Sequence, residues 1–237
     1  MKLDSLFIGA HPDDVELSCG GTVVKMVKAG NSVGILNLTR GELSTRGSVK
    51  IREREASEAA KILGVKVREN LELEDGSIEN NPGNRLKLIS AIRKYTPELI
   101  FAPYPRDRHP DHKHASQLVS EASFYSGLTK IITKIGSKKQ KPYRPNRILY
   151  YMQTYTFEPS FITDISNEFE TKMKAIRCYA SQFYNPESKE PDTFISDKKF
   201  IEYLEARARF YGFQIGARYG EPFFSEEALK LDPSDIT

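Results

Sequence analysis

The chain has 237 residues, of which 39% are hydrophobic and 28% charged, and its formal net charge is +3. This composition excludes a disordered chain, and the small net charge gives no indication of a nucleic-acid partner. The apolar runs are far too short to span a bilayer, the first residues lack a secretory signal, and Cys19 and Cys178 are too few for a disulfide framework. We therefore expect a cytoplasmic protein with reduced thiols and no membrane partner.

The first half of the chain alternates strand and helix patterns. Short apolar runs are followed by segments whose apolar residues recur at helical spacing. Ser48 can cap one helix and Gly64 can end it, while Thr96 and Pro97 end another. In chain order, the predicted elements are strand 3–10, helix 15–28, strand 32–38, helix 48–63, strand 67–73, helix 84–95, strand 98–104 and helix 111–126.

This alternation predicts an α/β fold, because strands separated by helices form a parallel sheet with right-handed crossovers. In the common doubly wound order the strands run 3-2-1-4. Strands 1 and 4 are then neighbours, and the crevice at their C-terminal ends is the usual ligand site. We expect a Rossmann-like, mostly parallel sheet with helices on both faces, in a single domain.

The core of that domain is expected within residues 1–128, and residues 129–237 are expected to extend it. The segment 130–147 holds only basic charges and is either a solvated loop or a docking surface for an acidic substrate or partner. The aromatic-rich tail is typical of core or of a subunit interface. The predicted elements of this half are strands 147–155 and 160–165 and helices 167–181 and 197–211.

All four histidines of the chain follow strand 1 or strand 4. The first motif, His-Pro-Asp-Asp, occupies 11–14, and the second, His-Pro-Asp-His, occupies 109–112. Either motif alone is compatible with ordinary helix capping by Asp14 or Asp111. Two such motifs at adjacent strand ends instead favour a metal site, since histidine and carboxylate are good zinc ligands. His114 lies two residues beyond the second motif and is expected at the surface.

Other chemically capable residues give weaker indications. Cys19 is expected to be a small buried residue rather than a nucleophile. Glu42 and Arg46 follow strand 2 and either line the pocket or lie on the loop surface. Arg106 and Arg108 flank the approach to the second motif, where they either bind an anionic substrate group or stay solvated.

The sequence around both motifs resembles the LmbE-like, or PIG-L-type, zinc N-deacetylases. Within that family it most resembles the bacterial deacetylases of bacillithiol biosynthesis. The resemblance covers most of the chain. The segments that carry it are GAHPDDVELSCGGT (9–22), LTRGELSTRG (38–47), REREA (52–56), FAPYPRDRHPDH (101–112), YYM (150–152) and YASQF (179–183).

The resemblance implies a role for each motif residue. His11, Asp14 and His112 match the zinc ligands of the family. Asp13 matches its general base, and His109 matches the imidazole that stabilises the oxyanion. The remaining two matches are Asp111, as the carboxylate that orients His109 and keeps it charged, and Arg52, as an arginine near the substrate.

The resemblance also implies a Rossmann-like fold, a trimeric or hexameric assembly and a zinc cofactor, which iron or another divalent metal can replace in such a site. The implied reaction is removal of the acetyl group from an N-acetylglucosamine conjugate, with N-acetylglucosaminyl malate as the substrate.

Three alternatives stay open at this point. The first is the same reaction on another N-acetyl sugar or a thiol conjugate. The second is a flavodoxin-like module that binds a nucleotide or a phosphate without catalysis; the absence of a G-x-G-x-x-G segment after strand 1 disfavours a dinucleotide. The third is a nucleic-acid-binding module that uses the basic segment 130–147.

Overall fold

The computed structural model describes residues 1–230. Most of its strands form one seven-stranded sheet, and a short hairpin stands apart from it. The strands are β1 (Ser5–Gly9), β2 (Val33–Thr39), β3 (Val67–Leu73), β4 (Leu99–Pro103), β5 (Lys134–Ile135), β6 (Lys138–Lys139), β7 (Arg147–Tyr151), β8 (Phe161–Asp164) and β9 (Gly220–Phe224).

Helices cover both faces of the large sheet. Ser48 caps the second helix as predicted, its hydroxyl accepting a hydrogen bond from the amide of Ile51 at 3.3 Å, and Gly64 ends that helix with φ +74°. The helices are α1 (Asp14–Lys28), α2 (Val49–Leu63), α3 (Pro82–Tyr95), α4 (Pro110–Tyr125), α5 (Phe169–Arg177) and α6 (Lys198–Gln214).

The large sheet has the strand order β3-β2-β1-β4-β7-β9-β8, which confirms the predicted 3-2-1-4 core. Strand β1 pairs in parallel with both β2 and β4, so Ser5 lies opposite Val33 on one side and Leu99 on the other. The two sides of β1 face separate cores. Phe7 packs with α1, α2 and α5, while Leu6 packs with α3 and α4, because successive strand side chains point to opposite faces.

The second half of the chain adds strands to this sheet, as expected. It contains one strand, β9, that the sequence did not predict. Strand β7 adds in parallel to β4, whereas β9 lies antiparallel between β7 and β8. No sequence pattern indicated β9, which lies in the aromatic-rich tail. Phe223 of β9 is fully buried and packs edge-on against Phe101, so this part of the tail is core. Residues 231–237 of the predicted extension lie outside the described range.

Two further expectations concern the cysteines and the membrane. Cys19 is fully buried, as expected, and both cysteines are free thiols. Within residues 1–230, no helix combines the length and the hydropathy that crossing a membrane requires.

Candidate active site

The histidines of the two motifs meet at the C-terminal ends of β1 and β4. The ring centroid of His109 lies 4.7 Å from that of His11 and 4.9 Å from that of His112. One ring nitrogen of each histidine lies within 4.8 Å of the others. His114 is exposed on α4, as expected. Residues almost 100 positions apart are therefore brought together by the strand order.

The carboxylate of Asp14 lies between two of these imidazoles. Its Oδ1 is 3.2 Å from Nε2 of His112, and its Oδ2 is 3.6 Å from Nδ1 of His11. Oδ2 also accepts a hydrogen bond from the backbone amide of His11 at 2.8 Å. The side-chain amide of Gln153, just after β7, donates to Oδ1 at 2.8 Å. Four nearby groups thus fix the direction of this carboxylate.

The outer nitrogen of each imidazole faces a further carboxylate. Nδ1 of His112 lies 2.8 Å from Oδ1 of Asp107. Nε2 of His11 lies 3.0 Å from Oδ1 of Asp75 and 3.2 Å from Oδ2 of Asp111. Carboxylates therefore fix both imidazoles through their outer nitrogens, and the inner nitrogens point toward Asp14.

These contacts determine how the two histidines titrate in the metal-free chain. Burial lowers the pKa of His112, but the carboxylates of Asp14 and Asp107 outweigh burial and raise it to about 9. The same competition raises the pKa of His11 well above its usual value, with Asp111 giving the largest of the raising contributions. A metal ion must displace these protons to bind.

Asp13 precedes α1 with a left-handed backbone, φ 112°, and its carboxylate lines the same cavity. Nη2 of Arg52 donates to Oδ2 of Asp13 at 3.1 Å and to the carbonyl of Pro12 at 2.6 Å. Burial raises the pKa of Asp13 to about 7, against the opposing charge of Arg52. At neutral pH this carboxyl group can both take up and release a proton.

Arg52, which the resemblance places near the substrate, lines the cavity and pairs there with Asp13. Its side chain is almost fully buried, and its guanidinium also donates to the carbonyl of Gly41 at 3.3 Å. Gly41 has φ +68°, and a Cβ there would collide with Nη1 of Arg52. The local backbone is built around this guanidinium, which pairs with Asp13 at the cavity wall.

His109 and Asp111 are in contact through a backbone amide and not through the carboxylate–imidazole pair that the resemblance implied. The carboxylate of Asp111 points to His11 and accepts the backbone amide of Gly76 at 2.8 Å, instead of holding the imidazole of His109. Nδ1 of His109 accepts a hydrogen bond from the backbone amide of Asp111 at 3.2 Å. Because Nδ1 accepts this bond, the neutral form of His109 carries its proton on Nε2. Burial and the neighbouring imidazoles lower the pKa of His109.

The cavity that contains these groups has a volume of about 430 Å³. Its polar end is formed by the two motifs. The second half of the chain contributes an apolar wall at 194–204. Arg108 also lines the cavity, with its guanidinium carbon 4.5 Å from the ring centroid of Phe194. The side chains that form the apolar wall are Phe194, Ile195, Phe200, Tyr203 and Leu204.

Sequence reasoning missed three residues of this site and left two others undecided. Asp75 follows β3, Asp107 precedes the second motif, and Gln153 follows β7. Each follows the C-terminal end of a parallel strand, and that position was the signal that could have found them. Of the undecided pair, Arg46 is buried and donates to the carbonyl of Phe183, and Glu42 is exposed and accepts from the amide of Asp75.

Comparison with known proteins gives three informative relatives. A diacetylchitobiose deacetylase of Thermococcus kodakarensis is 33% identical over 91% of this chain and 80% of its own length. A probable N-acetyl-alpha-D-glucosaminyl L-malate deacetylase 2 of Bacillus anthracis is 25% identical over 75% of this chain and 80% of its own. The crystal structure of the conserved protein TT1542 from Thermus thermophilus superposes with a TM-score of 0.87, at 38% identity and 98% coverage of both chains.

The model of the family described as "PIG-L: GlcNAc-PI de-N-acetylase" matches residues 6–123. This range contains both histidine motifs. The 33% identity with the deacetylase of Thermococcus kodakarensis extends well beyond that range. The chain therefore belongs to the PIG-L, or LmbE-like, family, to which its two motifs assigned it from the sequence.

Proposed function

We propose that this protein is a metal-dependent hydrolase that removes the acetyl group from an N-acetylglucosamine conjugate. The observation that carries the proposal is the position of Asp14 between two imidazoles whose outer nitrogens face carboxylates. Membership of a family described as a de-N-acetylase supports the reaction.

The donor set fits a divalent cation. Nδ1 of His112 faces Asp107 and Nε2 of His11 faces two carboxylates, which leaves one nitrogen of each ring toward Asp14. An imidazole that donates its far N–H to a carboxylate is the usual arrangement around a protein-bound metal, because it fixes the tautomer and the ring direction. We propose zinc, held by His11, Asp14 and His112, and such a set also accepts iron or another divalent metal.

A divalent cation held there would supply Lewis acidity to the amide carbonyl and to the attacking water. Asp13 would accept the proton of that water and return a proton to the nitrogen of the leaving amine. Its pKa near 7 suits transfer in both directions at neutral pH. Arg52 would keep the carboxylate of Asp13 aimed along the cavity wall.

His109 would stabilise the carbonyl oxygen as negative charge develops on it. With Nδ1 occupied by a backbone amide, Nε2–H is the group that can donate to this oxygen. A neutral donor of fixed direction is sufficient for this role, since preorganised hydrogen bonds act where charge appears in the transition state. This differs from the charged imidazole that the resemblance implied.

The substrate that the sequence predicts is N-acetylglucosaminyl malate, and the relative from Bacillus anthracis supports it. The two carboxylates of the malate group need a cationic side chain near the cavity mouth. Arg52 is occupied by Asp13, so Arg108, which is exposed and lines the cavity, takes over the proposed contact. A guanidinium can bind a carboxylate through two parallel hydrogen bonds.

A second candidate is an N-acetylglucosamine disaccharide. The wall beyond the polar end is aromatic and aliphatic, which suits the apolar face of another sugar ring. Residues Phe194 and Tyr203 are partly exposed there, at 50% and 38%. The relative from Thermococcus kodakarensis, a diacetylchitobiose deacetylase, supports this alternative.

The reaction is tested by acetate release from three substrates, with and without a chelator. The substrates are N-acetylglucosaminyl malate, N,N'-diacetylchitobiose and N-acetylglucosamine. We expect release from at least one conjugate, loss of release with chelator, and recovery when zinc is added back. If the zinc-loaded protein releases acetate from none of the three substrates, the proposal is contradicted.

The substrate is tested with Arg108→Ala, using Arg106→Ala as the matched control on the same segment. A charge-assisted hydrogen bond contributes about 1.5–3 kcal/mol, so kcat/KM for the malate conjugate should fall roughly tenfold or more. Turnover of the uncharged disaccharide should change little. Equal losses for both conjugates would remove the malate assignment and leave the deacetylase assignment intact.

A further inference from the structure

Asp75 joins two parts of the site that are otherwise separate. It lies in the loop between β3 and α3 and is only 6% exposed. Its Oδ1 is 3.0 Å from Nε2 of His11, and its Oδ2 accepts the backbone amide of Leu43 at 2.9 Å. Its own amide donates to Oε1 of Glu42 at 3.1 Å. One carboxylate therefore contacts the imidazole and the loop that follows β2.

That loop, residues 40–47, forms part of the cavity mouth. Leu43, Ser44 and Thr45 line the cavity, and Leu43 is 70% exposed. The next residue of the β3–α3 loop, Gly76, has φ +73°, and a Cβ there would lie 2.8 Å from Cδ1 of Leu43. The two loops are thus in close contact at the mouth.

The same turn also acts on His11 through a second route. The amide of Gly76 donates to Oδ2 of Asp111 at 2.8 Å, and this oxygen lies 3.2 Å from Nε2 of His11. Residues 75 and 76 therefore hold both carboxylates that face the outer nitrogen of His11. The direction of Nδ1, on the opposite side of the ring, depends on this turn.

We propose that Asp75 is a positioning residue that orients His11 for metal binding and couples this ligand to the mouth loop 40–47. This inference rests on the proposed function, since it assumes a metal between His11 and Asp14. Because Nε2 of His11 is hydrogen-bonded to carboxylates, the ring presents an unprotonated Nδ1 to the metal. Contacts made by Leu43 at the mouth reach His11 through the carboxylate of Asp75 and, by way of the amide of Gly76, through Asp111.

The test measures metal affinity directly, by competition with a chromophoric chelator for Zn²⁺ and for Co²⁺. Removing the outer hydrogen-bond partner of a metal-binding histidine typically weakens affinity roughly 10–100-fold, and we expect that loss in Asp75→Ala. The visible spectrum of the Co²⁺ form should change as well. The matched control is Glu42→Ala, which removes a bond to the backbone of Asp75 but no contact with His11, and should keep wild-type affinity.

Asp75→Asn provides a second variant that keeps the size of the side chain. The amide oxygen of the new Asn can accept the backbone N–H of Leu43 only if the NH₂ group points toward Nε2 of His11. Two donors then face each other, because the tautomer that binds metal through Nδ1 carries its proton on Nε2. The variant should therefore also lose metal affinity, and circular dichroism of its metal-free form checks that the fold is kept. If Asp75→Ala fails to fold, this variant decides the question.

The outcomes separate this inference from the proposed function. If the wild-type protein binds no stoichiometric metal, the proposed function fails. If the wild type binds one metal and both Asp75 variants bind it equally well, only the role of Asp75 fails. If Asp75→Asn loses the metal entirely while Asp14→Ala retains it, the metal is held by His11, Asp75 and Asp111 instead, which overturns the inference.

Discussion

The two halves of the chain, residues 1–128 and 129–230, contribute to the cavity in different ways. The first supplies both histidine motifs, each directly after a parallel strand. The second supplies Gln153 and an apolar wall whose side chains are spread over 194–204. The ionisable groups of the two motifs are thus concentrated where strands and helices alternate regularly. The apolar wall comes from a short 3₁₀ helix, Phe194–Ser196, and from the first turns of helix α6.

The second half also stabilises the first. Helix α1 is interrupted at Cys19, where φ is −137° and ψ is 22°, and this break frees the amides of the next turn. Glu221 of β9 accepts the amides of Gly21 and Thr22 at 3.0 and 2.7 Å, and Lys172 donates to the same carboxylate at 2.6 Å. Removing one partner of such a buried pair costs about 3–5 kcal/mol. The two halves are therefore joined by buried charged groups as well as by the shared sheet.

The largest expected effect is on kcat, and it tests whether the groups that carry out the reaction lie in the first half. Asp13→Asn should keep its metal, because Asp13 is not among the proposed ligands, and should lose roughly 10²–10⁴-fold in kcat as a general base is removed. Metal content and kcat are measured on the same preparation. A variant without metal would mean that Asp13 and Asp14 have exchanged roles.

The next effect concerns His109, in the same half. His109→Ala removes one donor to the developing oxyanion, so kcat should fall roughly 10²–10³-fold with little change in KM. Because the pKa of His109 is lowered, its titration should contribute no loss of activity above neutral pH. If the alkaline limb of the pH–rate profile disappears in this variant, His109 acts as an imidazolium, as the resemblance implied.

A third prediction concerns pH and the metal ligands of the first half. In the metal-free chain the pKa of His112 is raised to about 9, so below that pH the metal must displace a proton. Metal affinity should therefore rise about tenfold per pH unit between about 6.5 and 9 for each proton displaced. Calorimetric titration at several pH values measures this slope, and a flat profile would contradict it.

The same raised pKa makes a prediction for stability without metal. The pairing of protonated His112 stabilises the fold fully below the unfolded pKa of about 6.5 and is lost as the pH rises through about 9. Thermal unfolding of the chelated protein should therefore occur at lower temperature at about pH 9.5 than at about pH 6.5. His112→Ala should show a weaker dependence over this range.

The smallest effect tests the second half. Phe194→Ala should raise KM for a conjugate by less than about tenfold and leave kcat nearly unchanged, because wall contacts bind substrate and transition state alike. Lys138→Ala is the control, since Lys138 is exposed on the separate hairpin and does not line the cavity. A loss of kcat in Phe194→Ala would show that the wall takes part in the chemical step.

Much of the fold and of the site follows from local sequence signals. Ser48 and Gly64 mark the ends of α2, and both act there as predicted. Helix α3 begins at Pro82, two residues before its predicted start, because Asn81 caps it by accepting the amide of Asn84. Strand β9 could not be predicted, since a strand in an aromatic-rich segment is defined by the neighbours that pair with it.

The sequence by itself determined the doubly wound sheet and the meeting of the two motifs, because alternating elements restrict the strand order to very few possibilities. Only the tertiary structure decided which partner each side chain faces. Asp111 turns to His11 rather than His109, Arg52 is occupied by Asp13, and Asp75 joins the site from a loop without a motif. Hydrogen-bond partners depend on side-chain torsions and on packing between distant segments, and neither is encoded in the spacing of residues along the chain.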